Sequence, residues 1–154
     1  MDKKLKEDCL DKGNVVALKS KLEAKKKFDI HNNNSAYFLK SARNLLKSDT
    51  PNIAVALGFF AIEHKANALI SLHGYDIKSH ECTPIFLSRI LNRKDLARMF
   101  SKAFDLRISY NYKLDLKSKD IDEVRDFIEK DVVLFIEEID KLIKILKWRP
   151  PQPK

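Results

Sequence analysis

Apolar residues recur at intervals of three and four along most of this chain, and no stretch alternates cleanly, so the pattern predicts helices and no strand. The clearest run opens at Asp120, which with Glu123 forms a capping-box signature. Ile121, Val124, Ile128, Val132, Phe135, Ile139, Leu142 and Leu146 follow on one face, which predicts a helix of about 27 residues. Thr50-Pro51 is an equally strong start, a capping hydroxyl followed by a proline whose missing N–H costs nothing in the first helical turn. The helix after it extends to about His73, where Gly74 supplies the stop. Its apolar residues, among them Ile53, Leu57, Phe59, Phe60, Ile62, Leu69 and Ile70, cover most of its circumference. Such a helix is surrounded by others, so it is expected to be central.

The remaining elements obey the same logic. A loop through Asn32-Asn33-Asn34-Ser35 caps a helix from Ala36 on Phe38, Leu39, Ala42, Leu45 and Leu46. A polar loop after Gly74 leads to Thr83-Pro84, a second start signal, and a short helix on Ile85, Phe86, Leu87, Ile90 and Leu91. Another helix runs from about Arg93 to about Tyr112 on Leu96, Met99, Phe100, Ala103, Phe104 and Leu106. Residues 1–34 read as a Lys-rich N-terminal extension of one or two short helices, broken at Gly13-Asn14. Residues 35–147 form the bundle, and 148–154, with three prolines, a flexible tail. The expected fold is all-α, an up-and-down antiparallel bundle of four to five helices behind an N-terminal helical extension.

Composition narrows this only a little. At 154 residues the chain fits one domain, and its 3 glycines and 5 prolines leave long regular elements uninterrupted. The longest uncharged run, Thr50 to Ile62, is shorter than the roughly 20 residues that span a bilayer, and no leader pattern opens the chain. A cytoplasmic protein without membrane contact is expected. Cys9 and Cys82 lie in no paired pattern, which predicts free thiols. The formal charge of +8 suits contact with a polyanion, and equally suits the solvated surface of a heat-tolerant helical protein.

Turning each position by about 100° puts Glu63 on the face of Phe59, Ala66 and Ile70, inside the apolar stripe of the central helix. Arg107 and Tyr110 likewise fall in register with Leu96, Phe100 and Ala103. A guanidinium aimed inward needs a carboxylate or a bound anion. Two readings stay open: an Arg107–Glu63 ion pair that fixes helix register, or a polar pocket in which Arg107 meets a phosphate beside tyrosine hydroxyls.

These residues also carry a resemblance. Phe59-Phe60 with the small-residue helix through Glu63 and Ala66 to Ile70, then Gly74, then Lys78-Ser79-His80, then Arg107-Ile108-Ser109-Tyr110, resembles the HEPN (higher eukaryote and prokaryote nucleotide-binding) family in its small stand-alone prokaryotic and archaeal form. The likeness covers roughly residues 35–146. It implies a helical bundle, a homodimer, a minimal nucleotidyltransferase as partner in a toxin–antitoxin pair, and a nucleotide or RNA as ligand, with no cofactor and no metal. It also implies site residues: Arg107, Tyr110 and Tyr112 for catalysis, and Glu63, Arg107 and Tyr110 for binding. Active members of that family are metal-independent ribonucleases with a histidine shortly after the arginine. Here that window holds Tyr112, Lys113 and Leu114, and the last histidine is His80. An unmodified tyrosine, with a pKa near 10, is a poor base at neutral pH, so enzymatic activity is left open and the missing proton acceptor is sought in Glu63 or Tyr110.

Other candidates are weaker. His64, His73, His80 and Cys82 lack the spacing of a zinc helix. His64 reads as a hydrogen-bonded core residue, and His80, beside Thr83-Pro84, as a loop or cap residue. Lys25-Lys26-Lys27 reads as a solvated face.

Overall fold

Pro51 opens a helix, as its sequence predicts, and the rest of the molecule is built around that helix. The computed structural model describes Lys3 and residues 5–48, 50–113 and 120–147. In chain order it has a π-helical turn Leu5–Leu10, strand β1 Val15–Ala17, helix α1 Lys21–Leu45, helix α2 Pro51–Leu72, strand β2 Tyr75–Ile77, helix α3 Cys82–Arg89 and helix α4 Lys94–Ile108. Helix α4 runs into a π-helical turn, Ser109–Lys113. Helix α5 comprises an α-helical Ile121–Asp126, a π-helical Phe127–Val132 and an α-helical Val133–Lys147, joined end to end. The fold is the expected all-α bundle, and α5 runs the length that its periodicity predicts.

Helix α2 touches α1, α3, α4, α5 and β2. It buries Ala54, Val55, Gly58, Phe59, Ala61, Ile62, Ala66, Ala68, Leu69 and Ile70 on faces all around its axis. Gly58 lets α5 come close: a Cβ there would lie 2.9 Å from Cε2 of Phe127. The π-helical turn of α5 sits against this gap, with Phe127, Ile128 and Val132 all buried. At the far end of α2, Gly74 adopts φ 89, a left-handed value that a side chain resists, and it turns the chain away. Arg93 ties the start of α4 to α5, bridging Asp95 at 2.8 Å and Glu138 at 3.2 Å. By length and hydropathy α2 would also cross a membrane, but most of its surface is buried against the other helices.

The N-terminal third departs from expectation in three ways. First, 32–35 is not a loop, because α1 runs unbroken through the asparagines. The asparagine run reads as a breaker only while its side chains lack partners. In the structure Asn32 Oδ1 accepts from Lys65 Nζ at 2.6 Å, and Ser35 Oγ donates to the Ala61 carbonyl at 2.7 Å. The helix is capped earlier, by Ser20, whose Oγ accepts from the Glu23 N–H at 3.1 Å. The division at residue 34 therefore falls inside one helix.

Second, a small antiparallel ribbon exists where no strand is expected, pairing Val15 with Ile77 and Ala17 with Tyr75. Three residues on each side are too few to show alternation.

Third, Cys9 and Cys82 are not free thiols but a disulfide, with Cα atoms 5.8 Å apart. The ribbon explains the pairing. In its antiparallel register, residues before Val15 approach residues after Ile77, which brings Cys9 to the first turn of α3. Leu5, Val15 and the disulfide make a second small core there, with Leu10, Tyr75, Ile77 and Ile85 packed against it. Residues 148–154, expected as a tail, lie outside the described residues, as does Leu114.

Candidate functional site

Arg107 sits in the last turn of α4, half-buried, with its guanidinium carbon 5.3 Å from the centre of the Phe59 ring and 5.0 Å from that of Phe60. Both rings come from α2, where Glu63 lies one turn further along the same face. Among the described residues no carboxylate forms an ion pair with Arg107, so a direct Arg107–Glu63 bridge is not made. The two are nonetheless neighbours. Burial pushes the Glu63 carboxyl above the usual carboxylate range, and the charges of His80 and Arg107 oppose that shift.

His80 joins the cluster from the connection between β2 and α3. Its exposed ring stacks on Phe104 with centroids 4.6 Å apart, and Phe104 packs edge-on against Phe59 at 5.7 Å. The result is a floor of Phe59, Phe60 and Phe104 carrying a guanidinium, a carboxyl and an imidazole. His80 lies in a turn, the loop position that its sequence predicts. Lys78-Ser79-His80 gave its place in the chain, but only the ribbon and the turn before α3 bring it over α4.

The two tyrosines do not join this group. Tyr110 is 2% exposed, and its hydroxyl donates to the Asp120 carbonyl at 3.2 Å. Burial, with Glu123 nearby, holds the phenol well above its ordinary range. Tyr112 is 71% exposed. Tyr110 thus lies on the buried side with Leu96, Phe100 and Ala103, as its register predicts, but its hydroxyl reaches the Asp120 carbonyl and not the half-buried Arg107.

Beside His80 opens a cleft of about 970 Å³ between the N-terminal π turn, α3 and α4, walled in part by Cys9 and Cys82. Arg98 and Lys102 face it from successive turns of α4, and Phe104 lies on its border. Among the described residues no group of three or more His, Cys, Asp or Glu side chains is placed to hold a metal ion.

A second polar cluster joins α1 to α2. His31 Nδ1 and His64 Nδ1 are 2.9 Å apart, so one ring donates and the other accepts, and Phe38 stacks on His64 at 5.4 Å. Burial, then the charge of His64, push His31 down from 6.5 to about 4, and burial lowers His64 too. The fold thus favours neutral rings. The contribution is complete above pH 6.5 and is lost as the pH falls toward 4, because the unfolded chain takes up a proton that the folded one refuses. Allowing for partial exposure, we expect about 2 kcal/mol of stability to disappear across that window. Urea unfolding of the wild type and of His31→Gln at pH 7 and pH 4.5 checks this. The loss should be clearly smaller in the variant, and equal losses would rule the pair out as its source.

No family model matches this chain, and a search of curated proteins finds no significant relative.

Proposed function

We propose that this protein is a HEPN-like module that binds the phosphate of a nucleotide or of RNA at Arg107, Glu63 and His80. The observation that carries this reading is Arg107 itself, a half-buried guanidinium held over two aromatic rings with no carboxylate in an ion pair among the described residues. A cation held this way is preorganised for an anion from solution, and a planar fork of N–H donors matches phosphate geometry. Phe60 and Phe104, both partly exposed, border the guanidinium with apolar surface. By the family resemblance, the module acts as a homodimer in the cytoplasm, with a minimal nucleotidyltransferase as partner in a toxin–antitoxin pair. Tyr110, buried and hydrogen-bonded, has a structural part in this account, and Tyr112 remains an exposed neighbour that a partner enzyme can reach.

The test is binding of ATP and of a short single-stranded RNA, measured by fluorescence anisotropy. Arg107→Ala removes one charge-assisted contact and should weaken binding by about 10- to 100-fold while leaving the circular dichroism spectrum unchanged. Unchanged affinity for both ligands would sink the assignment. A metal-independent endoribonuclease is the second reading, and the observation in its favour is the His80 imidazole stacked on Phe104, which packs against the same Phe59 ring that Arg107 covers.

A further inference from the structure

We infer that the Cys9–Cys82 disulfide is a redox latch. Oxidised, it holds the N-terminal π turn Leu5–Leu10 on α3 as one wall of the cleft beside His80, and a small dithiol releases that segment while the helical bundle stays folded. This does not depend on the phosphate-binding reading.

The segment is fastened in a way that lets it leave alone. Its core is its own: Leu5, Cys9, Val15 and Cys82 form a small cluster apart from the main one, which contains Phe59, Leu69, Phe100 and Ile128. The π turn packs on α3 and β1, and the cleft of about 970 Å³ separates it from α4. From Asp8 to Gly13 the hydrogen bonds stay within the segment or at its junction with β1. Lys12 Nζ donates to Asp8 Oδ1 at 3.2 Å, the Gly13 N–H to the Leu10 carbonyl at 3.1 Å and the Asn14 N–H to the Cys9 carbonyl at 2.8 Å. Asn14 Nδ2 also donates to the Asp8 carbonyl at 3.0 Å. Toward α3, Cys82 Sγ carries no proton while oxidised and only touches the Asp8 carbonyl at 3.9 Å. Apolar contact apart, the disulfide is therefore what ties Asp8–Gly13 to α3 among the described residues. The pivot is Gly13, with open space around it, and beyond it the Lys78 N–H donates to the Asn14 carbonyl at 2.7 Å and keeps β1 on β2.

Both cysteines are buried, yet they wall the cleft, so a small dithiol has a route to them. One thiolate of the dithiol attacks Cys9 Sγ and forms a mixed disulfide. The bond between the two cysteine sulfurs breaks, and its electron pair stays on Cys82 Sγ, which takes up a proton. Cys82 is the better leaving group because it heads α3, where free N–H groups favour a thiolate. The second thiolate of the dithiol then attacks the sulfur of the first, and Cys9 departs and takes up a proton. Two electrons and two protons have passed to the cysteine pair, and the dithiol has become a cyclic disulfide. Release removes the wall that Asp8, Cys9 and Lys12 make and bares Tyr75, Ile77 and Ile85, which pack on the small core. A reducing compartment favours the open cleft and an oxidising one the latched cleft.

The experiment treats the native full chain with dithiothreitol and no denaturant, counts thiols by alkylation and intact mass, and follows trypsin cleavage and circular dichroism on the same samples. Both cysteines should become alkylated with the helical signal retained. Cleavage after Lys12 should speed up by about 10-fold or more and precede any cut within α1–α5, because only the local segment has opened. Cys9→Ser combined with Cys82→Ser should be cut at Lys12 in the same way without reductant. Glutathione disulfide should restore protection to the reduced wild type. A native chain whose bond resists dithiothreitol, or a reduced chain cut at Lys12 no faster than the oxidised one, overturns the latch. So does reduction that abolishes the helical signal or speeds cuts within α1–α5 equally, for the bond is then a staple of the whole fold.

Discussion

Replacing Cys9 and Cys82 together with alanine should lower the stability of the folded chain by about 4 kcal/mol, equivalent to roughly 10 °C in Tm. The bond joins residues 73 apart in sequence, so it removes a large share of the unfolded chain's freedom. Both sulfurs are buried, at 0% and 2% exposure of their residues, and they sit in the small core that fastens the N-terminal segment to α3. Urea unfolding of the oxidised protein, the reduced protein and the double variant measures the effect. The reduced protein and the variant should agree with each other and fall well below the oxidised form. Coincidence of all three curves would show that the bond contributes nothing.

Lys65→Ala should cost about 3 kcal/mol, and Lys65→Met only about 1. Lys65 projects from the centre of α2 with its side chain 7% exposed, and its ammonium meets Asp140 of α5 at 2.5 Å and Asn32 of α1 at 2.6 Å. Three helices thus share one buried cation. Alanine removes the charge and opens a hole, whereas methionine fills the space with an apolar chain and leaves Asp140, 48% exposed, to be solvated by water. The gap between the two variants measures packing apart from charge. Equal losses in thermal unfolding would mean that the ion pair, not the packing, dominates.

How much was legible in the sequence depends on how local each signal is. The cap at Asp120, the start at Pro51 and the stop at Gly74 are decided by neighbours within one turn, and each lies where its residues predict. The central place of α2 was legible too, because a helix apolar on every side has nowhere else to go. The features that escaped are those settled by distant partners. Asn32 and Ser35 look like helix breakers until Lys65 and Ala61 of α2 occupy their side chains. Cys9 and Cys82 look unrelated until β1 pairs with β2. The site divides the same way. Glu63 and Arg107 come near each other, as helical periodicity suggested. Tyr110 takes the buried side that periodicity predicts but is engaged by the Asp120 carbonyl, and His80 arrives along a path that no periodicity describes.

The encirclement of α2 also bears on how the chain is made. Synthesis delivers α1 and α2 first, but α4 and α5, which cover much of the apolar circumference of α2, begin only at Lys94 and Ile121. At roughly 5–20 residues per second, α2 waits several seconds outside the ribosome before its last neighbour is complete. During that interval it is an apolar rod of membrane-like hydropathy, flanked by α1, β2 and α3 but still open where α4 and α5 will pack. Nascent chains halted before α5 are therefore the form of this protein most in need of a chaperone.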